Sequence, residues 1–148
     1  MTNVEAKYLI EIEKRLRKSL LQFPEAGTSA YYKADDLTKI KNFTIQVYAG
    51  AKRRTKCSYT LLYRKTMLLR LDTDGSGAHY NNDGSIIPPH TPHVHLYDEL
   101  SNGHDAIRIP EIFSNIDDIY STLRDFFAYI NIINLSNVKI IEQGGLLS

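Results

Sequence analysis

The strongest constraint on the fold lies between Phe43 and Thr73, where apolar and polar residues alternate with period two through three runs joined by very short links. Phe43, Ile45, Val47 and Ala49 alternate with Thr44, Gln46 and Tyr48, and after a KRRT turn Cys57, Tyr59, Leu61 and Tyr63 alternate with Ser58, Thr60, Leu62 and Arg64. MLLRLDT follows after Lys65 and Thr66. Side chains alternate across a pleat, so each run reads as a strand with one face inward. A parallel crossover needs roughly a dozen residues, so links this short predict an antiparallel meander.

Around this meander the periodicity changes. Leu9, Ile12, Leu16, Leu20 and Phe23 recur at steps of three and four, which predicts an amphipathic helix over about Asn3 to Phe23, ended by Pro24 and Gly27. GTSAYYKADDLTKIKN carries no clear period and reads as a connection. HVHLYDE and DAIRIPE read as two further strands, and Ile116, Ile119, Leu123, Phe126, Phe127 and Ile130 predict a helix from about Asn115 to Ile130, capped by Ser114 or Asn115. A short last strand is expected at Val138 to Ile141. The fold class is therefore α+β: one domain over 1–148, an antiparallel sheet of about five strands, and an N-terminal and a C-terminal helix packed on one of its faces.

Charge narrows the partners. With 18 basic and 17 acidic residues there is no general attraction to nucleic acid or to membranes, so a nucleic-acid partner requires a local basic groove. Lys52, Arg53, Arg54 and Lys56 supply one such cluster, and Arg108 a further cation. Ten tyrosines without a tryptophan suit a contact surface, since the ring is apolar and its tip polar. The Tyr31-Tyr32 pair is placed to stack on bases or to pack on the sheet. The lone Cys57 excludes an internal disulfide and, with no apolar run of ~20 residues and no signal-peptide pattern, points to a cytoplasmic protein without a membrane partner.

Residues 73–92 form a long polar insertion, TDGSGAHYNNDGSIIPPHTP, in which Asn82-Asp83-Gly84 supplies a turn. It runs into HTPHVHLY, which holds His90, His93 and His95. In a strand starting at His93, Val94 and Leu96 point one way and His93, His95 and Tyr97 the other. The same alternation sends Met67, Leu69 and Leu71 inward with Leu68, Arg70 and Asp72 outward, and Ile107 and Ile109 inward with Arg108 outward. One polar face would then carry Arg70, Asp72, His93, His95, Tyr97 and Arg108, with His79, Asp83 and His90 in the loop beside it.

Three chemistries fit such a face. His93 and His95 with Glu99, His90 or His79 match the ligand types of a divalent ion, and HxHxxxE is a spacing shared with cupins, although the glycine pattern of cupins is absent. Metal-independent phosphodiester cleavage would use one of His93 and His95 as general base or acid, the second histidine or Tyr97 as its partner, and Arg70 or Arg108 to stabilise the charged transition state. A polar contact surface would need no catalysis at all. There is no GxxxxGKS loop, GxGxxG, CxxC or GxSxG, so no cofactor is expected.

From Arg70 to Ile132 the chain resembles a small uncharacterised domain family of Gram-positive bacteria and their prophages and mobile elements, with an Arg/Asp strand, a His-x-Asn-Pro-Asp-Gly loop and a PHxHxY strand. Arg70, Asp72, His79, Asn81, Asp83, Gly84, His93, His95 and Tyr97 match that pattern, and Asn82 stands where its proline is expected. The resemblance implies a role in conflict between phage and host. The resulting expectation is a toxin-like, metal-independent endoribonuclease with His93, His95, Tyr97 and Arg70 as catalytic residues and no metal assigned. Its partner is nucleic acid, RNA ahead of DNA. The alternative is a non-catalytic, anti-CRISPR-like inhibitor that blocks a nucleic-acid-handling complex of bacterial defence.

Overall fold

The computed structural model describes residues 1–142 except 54, 55, 76 and 102. Its elements are α1 (Asn3–Glu11), β1 (Lys14–Leu16), β2 (Leu20–Gln22), β3 (Ser29–Asp36), β4 (Asn42–Ala49), β5 (Cys57–Tyr63), β6 (Thr66–Asp72), β7 (His79–Tyr80), β8 (Ile86–Ile87), β9 (His93–Leu96), β10 (Ala106–Arg108), α2 (Ile119–Tyr129) and β11 (Lys139–Ile141). The architecture is α+β. Its main sheet has seven strands in the order β1-β3-β4-β5-β6-β9-β10, antiparallel at every step, rather than about five.

The two added strands come from segments whose period is hidden. In β3 the inward positions are Tyr32, Ala34 and Asp36, a weak hydrophobic signal, because Asp36 turns its carboxylate onto the Lys41 N–H and the Thr38 hydroxyl to close the β3–β4 turn. In β1 the inward positions are Lys14 and Leu16, the first of them a lysine. Lys14 is fully buried, and its Nζ donates to the carbonyls of Ile10 (2.7 Å), Ile12 (2.9 Å) and Ile130 (2.8 Å). These carbonyls lie at the C-terminal ends of α1 and α2, where backbone acceptors lack intrahelical partners and the dipole favours a cation.

This capture also explains why the first helix stops at Glu11 instead of reaching Phe23. Thr2 caps its start by accepting from the Glu5 N–H, and Ile12 is already extended. Of the remaining residues of the expected stripe, Leu16 in β1 and Phe23 just past β2 are buried, whereas Leu20 is exposed and its neighbour Leu21 is buried in its place. β2 pairs in parallel with β11, the short last strand. α2 begins at Ile119, four residues later than the expected start at Asn115, because Asp118 is the residue that caps it, accepting from the Tyr120 and Ser121 N–H groups.

One core lies on the apolar face of the sheet. Tyr59 packs on Phe126 and donates to the Ile119 carbonyl, Tyr32 meets Phe127 edge-on, and Ala6 and Leu9 of α1 join the same cluster. A bulge at Leu68 breaks the alternation of β6, so Leu68 is buried in the core, whereas the tip of Met67 lies against Gly103 on the opposite side. Ile107 sits opposite Val94 on the apolar face, but on the edge strand it stays 50% exposed. Cys57 is buried in β5. No helix among the described residues is long and apolar enough to cross a membrane.

Candidate functional site

The opposite face of the sheet can be read directly from the register. One row runs Ser29, Tyr48, Ser58, Asp72, His93, Arg108, and the next Tyr31, Gln46, Thr60, Arg70, His95, Ala106. Each residue faces its row neighbour across one strand spacing, so side chains from strands distant in sequence meet.

The centre of the histidine end is Asp72. Its Oδ2 lies 3.3 Å from Nε2 of His93 and 3.4 Å from Nε2 of His95. Arg70 donates to the same carboxylate from Nε and Nη2, the latter at 2.9 Å, and the Ser58 hydroxyl donates to Oδ1 at 2.8 Å. Burial alone would raise the Asp72 carboxyl, but hydrogen bonds from His93 and His95, the Arg70 charge and Ser58 outweigh it and hold it well below the usual carboxylate range. The hydrogen bond to Asp72 raises His93, against its burial.

Both imidazoles are fixed from behind. Nδ1 of His93 lies 3.0 Å from the Thr91 carbonyl, and Nδ1 of His95 lies 3.0 Å from the Gly103 carbonyl. A carbonyl only accepts, so each Nδ1 carries a hydrogen and each Nε2 is the nitrogen presented to Asp72.

The long loop folds over this centre. β7 and β8 form a small hairpin closed by the turn at Asp83 and Gly84, where Gly84 takes φ +90°. Asn81 pins it to β10 by donating to the Ala106 carbonyl and accepting from the Ala106 N–H, both at 2.8 Å, and His104 bonds the Tyr80 carbonyl. His79 is thereby laid on the histidine pair, its ring centroid 5.7 Å from His93, 5.0 Å from His95 and 5.0 Å from His104. Its Nε2 is buried and is the buried side-chain nitrogen or oxygen without a hydrogen-bond partner among the described residues. Burial lowers its basicity. Four of the five histidines thus form one cluster.

Other expected site residues lie elsewhere. Tyr97 falls just past the end of β9, packs against the core and donates its hydroxyl to the Met1 carbonyl, so it is not on the histidine face. Asp83 is exposed at the hairpin tip, where it accepts from the Ser85 N–H and hydroxyl rather than facing the site. His90 leaves the cluster to pair with Asp74 at 2.8 Å, beside Arg53, which donates to the other carboxylate oxygen. Lys52, Arg53, Lys56, Asp74, His90 and Tyr48 line one cavity of about 460 Å³ at the edge of the polar face. Arg108 is exposed in the His93 row, and Arg54 lies outside the described residues.

The site also holds three residues that were given no role from sequence. Alternation placed Asp72 outward beside Arg70, which was the available signal for it. Ser58 and His104 gave none, because their roles depend on strand register and on where the hairpin lands.

No curated protein and no solved structure matches the chain. A family model matches residues 1–132, so the match includes the first strands as well as the histidine segment. The chain belongs to this family, DUF6978, a family of unknown function.

Proposed function

We propose that the protein acts on single-stranded RNA, with the polar sheet face as the platform and the His–Asp–Arg centre as its reactive end. The observation that carries this reading is the makeup of the face. Tyr31 is 62% and Tyr48 38% exposed on neighbouring strands, and Tyr48 borders the cavity lined by Lys52, Arg53 and Lys56. Exposed rings on a sheet stack on unpaired bases, and adjacent cations hold the backbone phosphates. Arg70, whose side chain is 40% exposed, lies between the tyrosines and the histidines, where it would meet a phosphate approaching the centre. The role in phage–host conflict implied by the histidine segment, with toxin-like RNA cleavage, is part of the same proposal.

A specific observation favours a second reading, a non-catalytic protein that blocks a nucleic-acid-handling complex. His93 and His95 are only 6% and 4% exposed, and both nitrogens of each ring are already engaged. Incubating the purified protein with labelled single-stranded RNA decides between them. Cleavage that is lost in His93→Ala/His95→Ala supports the enzyme, binding without cleavage supports the blocker, and absence of both overturns the RNA reading.

A further inference from the structure

The geometry points to a binding site for one divalent transition-metal ion, zinc before others, held by Nε2 of His93, Nε2 of His95 and Oδ2 of Asp72, with His79 as the fourth ligand. This goes beyond the RNA reading and holds whatever the sheet face binds.

The first argument is tautomeric. The Thr91 and Gly103 carbonyls fix hydrogens on both Nδ1 atoms, so in the neutral imidazoles both Nε2 lone pairs aim at a carboxylate oxygen. Where no metal is bound, protons on the two Nε2 atoms bridge them to Oδ2, and a divalent cation would take the place of those protons. A histidine whose far nitrogen donates to a backbone carbonyl is the usual arrangement of a metal ligand, because that bond orients the ring and raises the basicity of the coordinating nitrogen.

The second argument is distance. Charge-assisted N–H···O bonds run at about 2.7–2.9 Å. The two contacts here are 3.3 and 3.4 Å. Metal bonds of about 2.0–2.1 Å directed to the corners of a tetrahedron place ligand atoms about 3.3–3.5 Å apart, which matches the two Asp72–histidine distances. All three ligand atoms lie within 4.8 Å of one another.

The third argument is His79. Its buried Nε2 lacks a partner among the described residues, and its ring packs on both His93 and His95. His79 is outside the set of three ligand atoms already within 4.8 Å of one another, so its joining them requires the ring to turn on the β7–β8 hairpin. Imidazole-rich sets with one carboxylate select zinc and its neighbours over magnesium or calcium, which prefer oxygen. Arg70 also reaches Oδ2, so the ion shares that oxygen with a guanidinium, and removing Arg70 tightens binding.

The test is a titration of chelator-treated, tag-free protein with zinc chloride, followed by calorimetry, and with cobalt(II), followed by visible absorption. The expected result is one ion per chain and a tetrahedral cobalt spectrum. His95→Ala should lose both, His79→Ala should weaken zinc binding at least tenfold with the fold intact, and Arg70→Gln should strengthen it. Because buried variants at His95 are liable to unfold, circular dichroism accompanies each, and the His79 and Arg70 variants carry the decision if His95→Ala does not fold. No binding by the wild-type chain, or binding unchanged in folded His79→Ala and Arg70→Gln, overturns the site. Failure of RNA binding leaves these readouts untouched.

Discussion

Asp72 stands directly opposite His93 in the β6–β9 ladder, and its Oδ2 meets Nε2 of that ring at 3.3 Å. The same oxygen lies 3.4 Å from His95, so one carboxylate joins two histidines that its own strand neighbour Arg70 also flanks. Neutralising a carboxylate in such a network leaves its cationic partners partly buried without a counter-charge. Asp72→Asn is therefore expected to destabilise the fold by about 3 kcal/mol, the range for breaking a buried pair from one side. Urea unfolding of the two proteins checks it, and a difference below about 0.5 kcal/mol, typical of plain surface substitutions, would mean the network contributes little to the fold.

Lys14 joins the ends of both helices, and its loss should be felt globally. Lys14→Met fills the space but leaves the Ile10, Ile12 and Ile130 carbonyls without their donor, a loss expected to cost about 3 kcal/mol by the usual penalty for unmet buried acceptors.

The same residue sets a pH dependence. Burial pulls Lys14 from 10.5 down to about 7 in the fold. Between those values the unfolded chain binds a proton that the folded chain has released, so stability from this group rises with pH across that window and is flat below it. Measured against Lys14→Met, the wild-type chain should gain stability from pH ~7 to pH ~9.5 by this linkage. An equal gap at both pH values would show that the three carbonyls hold the ammonium charged throughout.

The β5–β6 hairpin turns through Arg64 and Lys65, both left-handed at φ 49° and 66°. Side chains with a Cβ resist that region, whereas Asn-Gly accommodates it in two-residue turns. Replacing Arg64-Lys65 by Asn-Gly should stabilise the protein by about 1 kcal/mol, read as a higher melting temperature. A lower melting temperature would show that contacts such as Arg64 over the Tyr63 ring outweigh the strain.

The meander was legible because its strands bury large apolar residues at alternate positions over most of their length and follow one another after short links. β1 and β3 were not, since the residues they bury include Lys14, Ala34 and Asp36, whose burial depends on partners far along the chain. Alternation correctly put Arg70, Asp72, His93 and His95 on one face. It failed at Tyr97, where the strand had already ended, and at Met67 and Leu68, where a bulge shifts the register. The place of His79 could not be read locally either, because it is set by the bonds of Asn81 to Ala106 across 25 residues.

The central claim is that the polar sheet face binds single-stranded RNA, and it is tested most directly by fluorescence anisotropy of a labelled oligonucleotide with the wild-type chain and Tyr31→Ala/Tyr48→Ala. Both tyrosines are exposed and outside the core, so the double variant should keep its fold. The account predicts at least a tenfold loss of affinity, since each stacked base contributes about 1–3 kcal/mol. Unchanged affinity in the double variant, or no RNA binding by the wild-type protein at low salt, would contradict it.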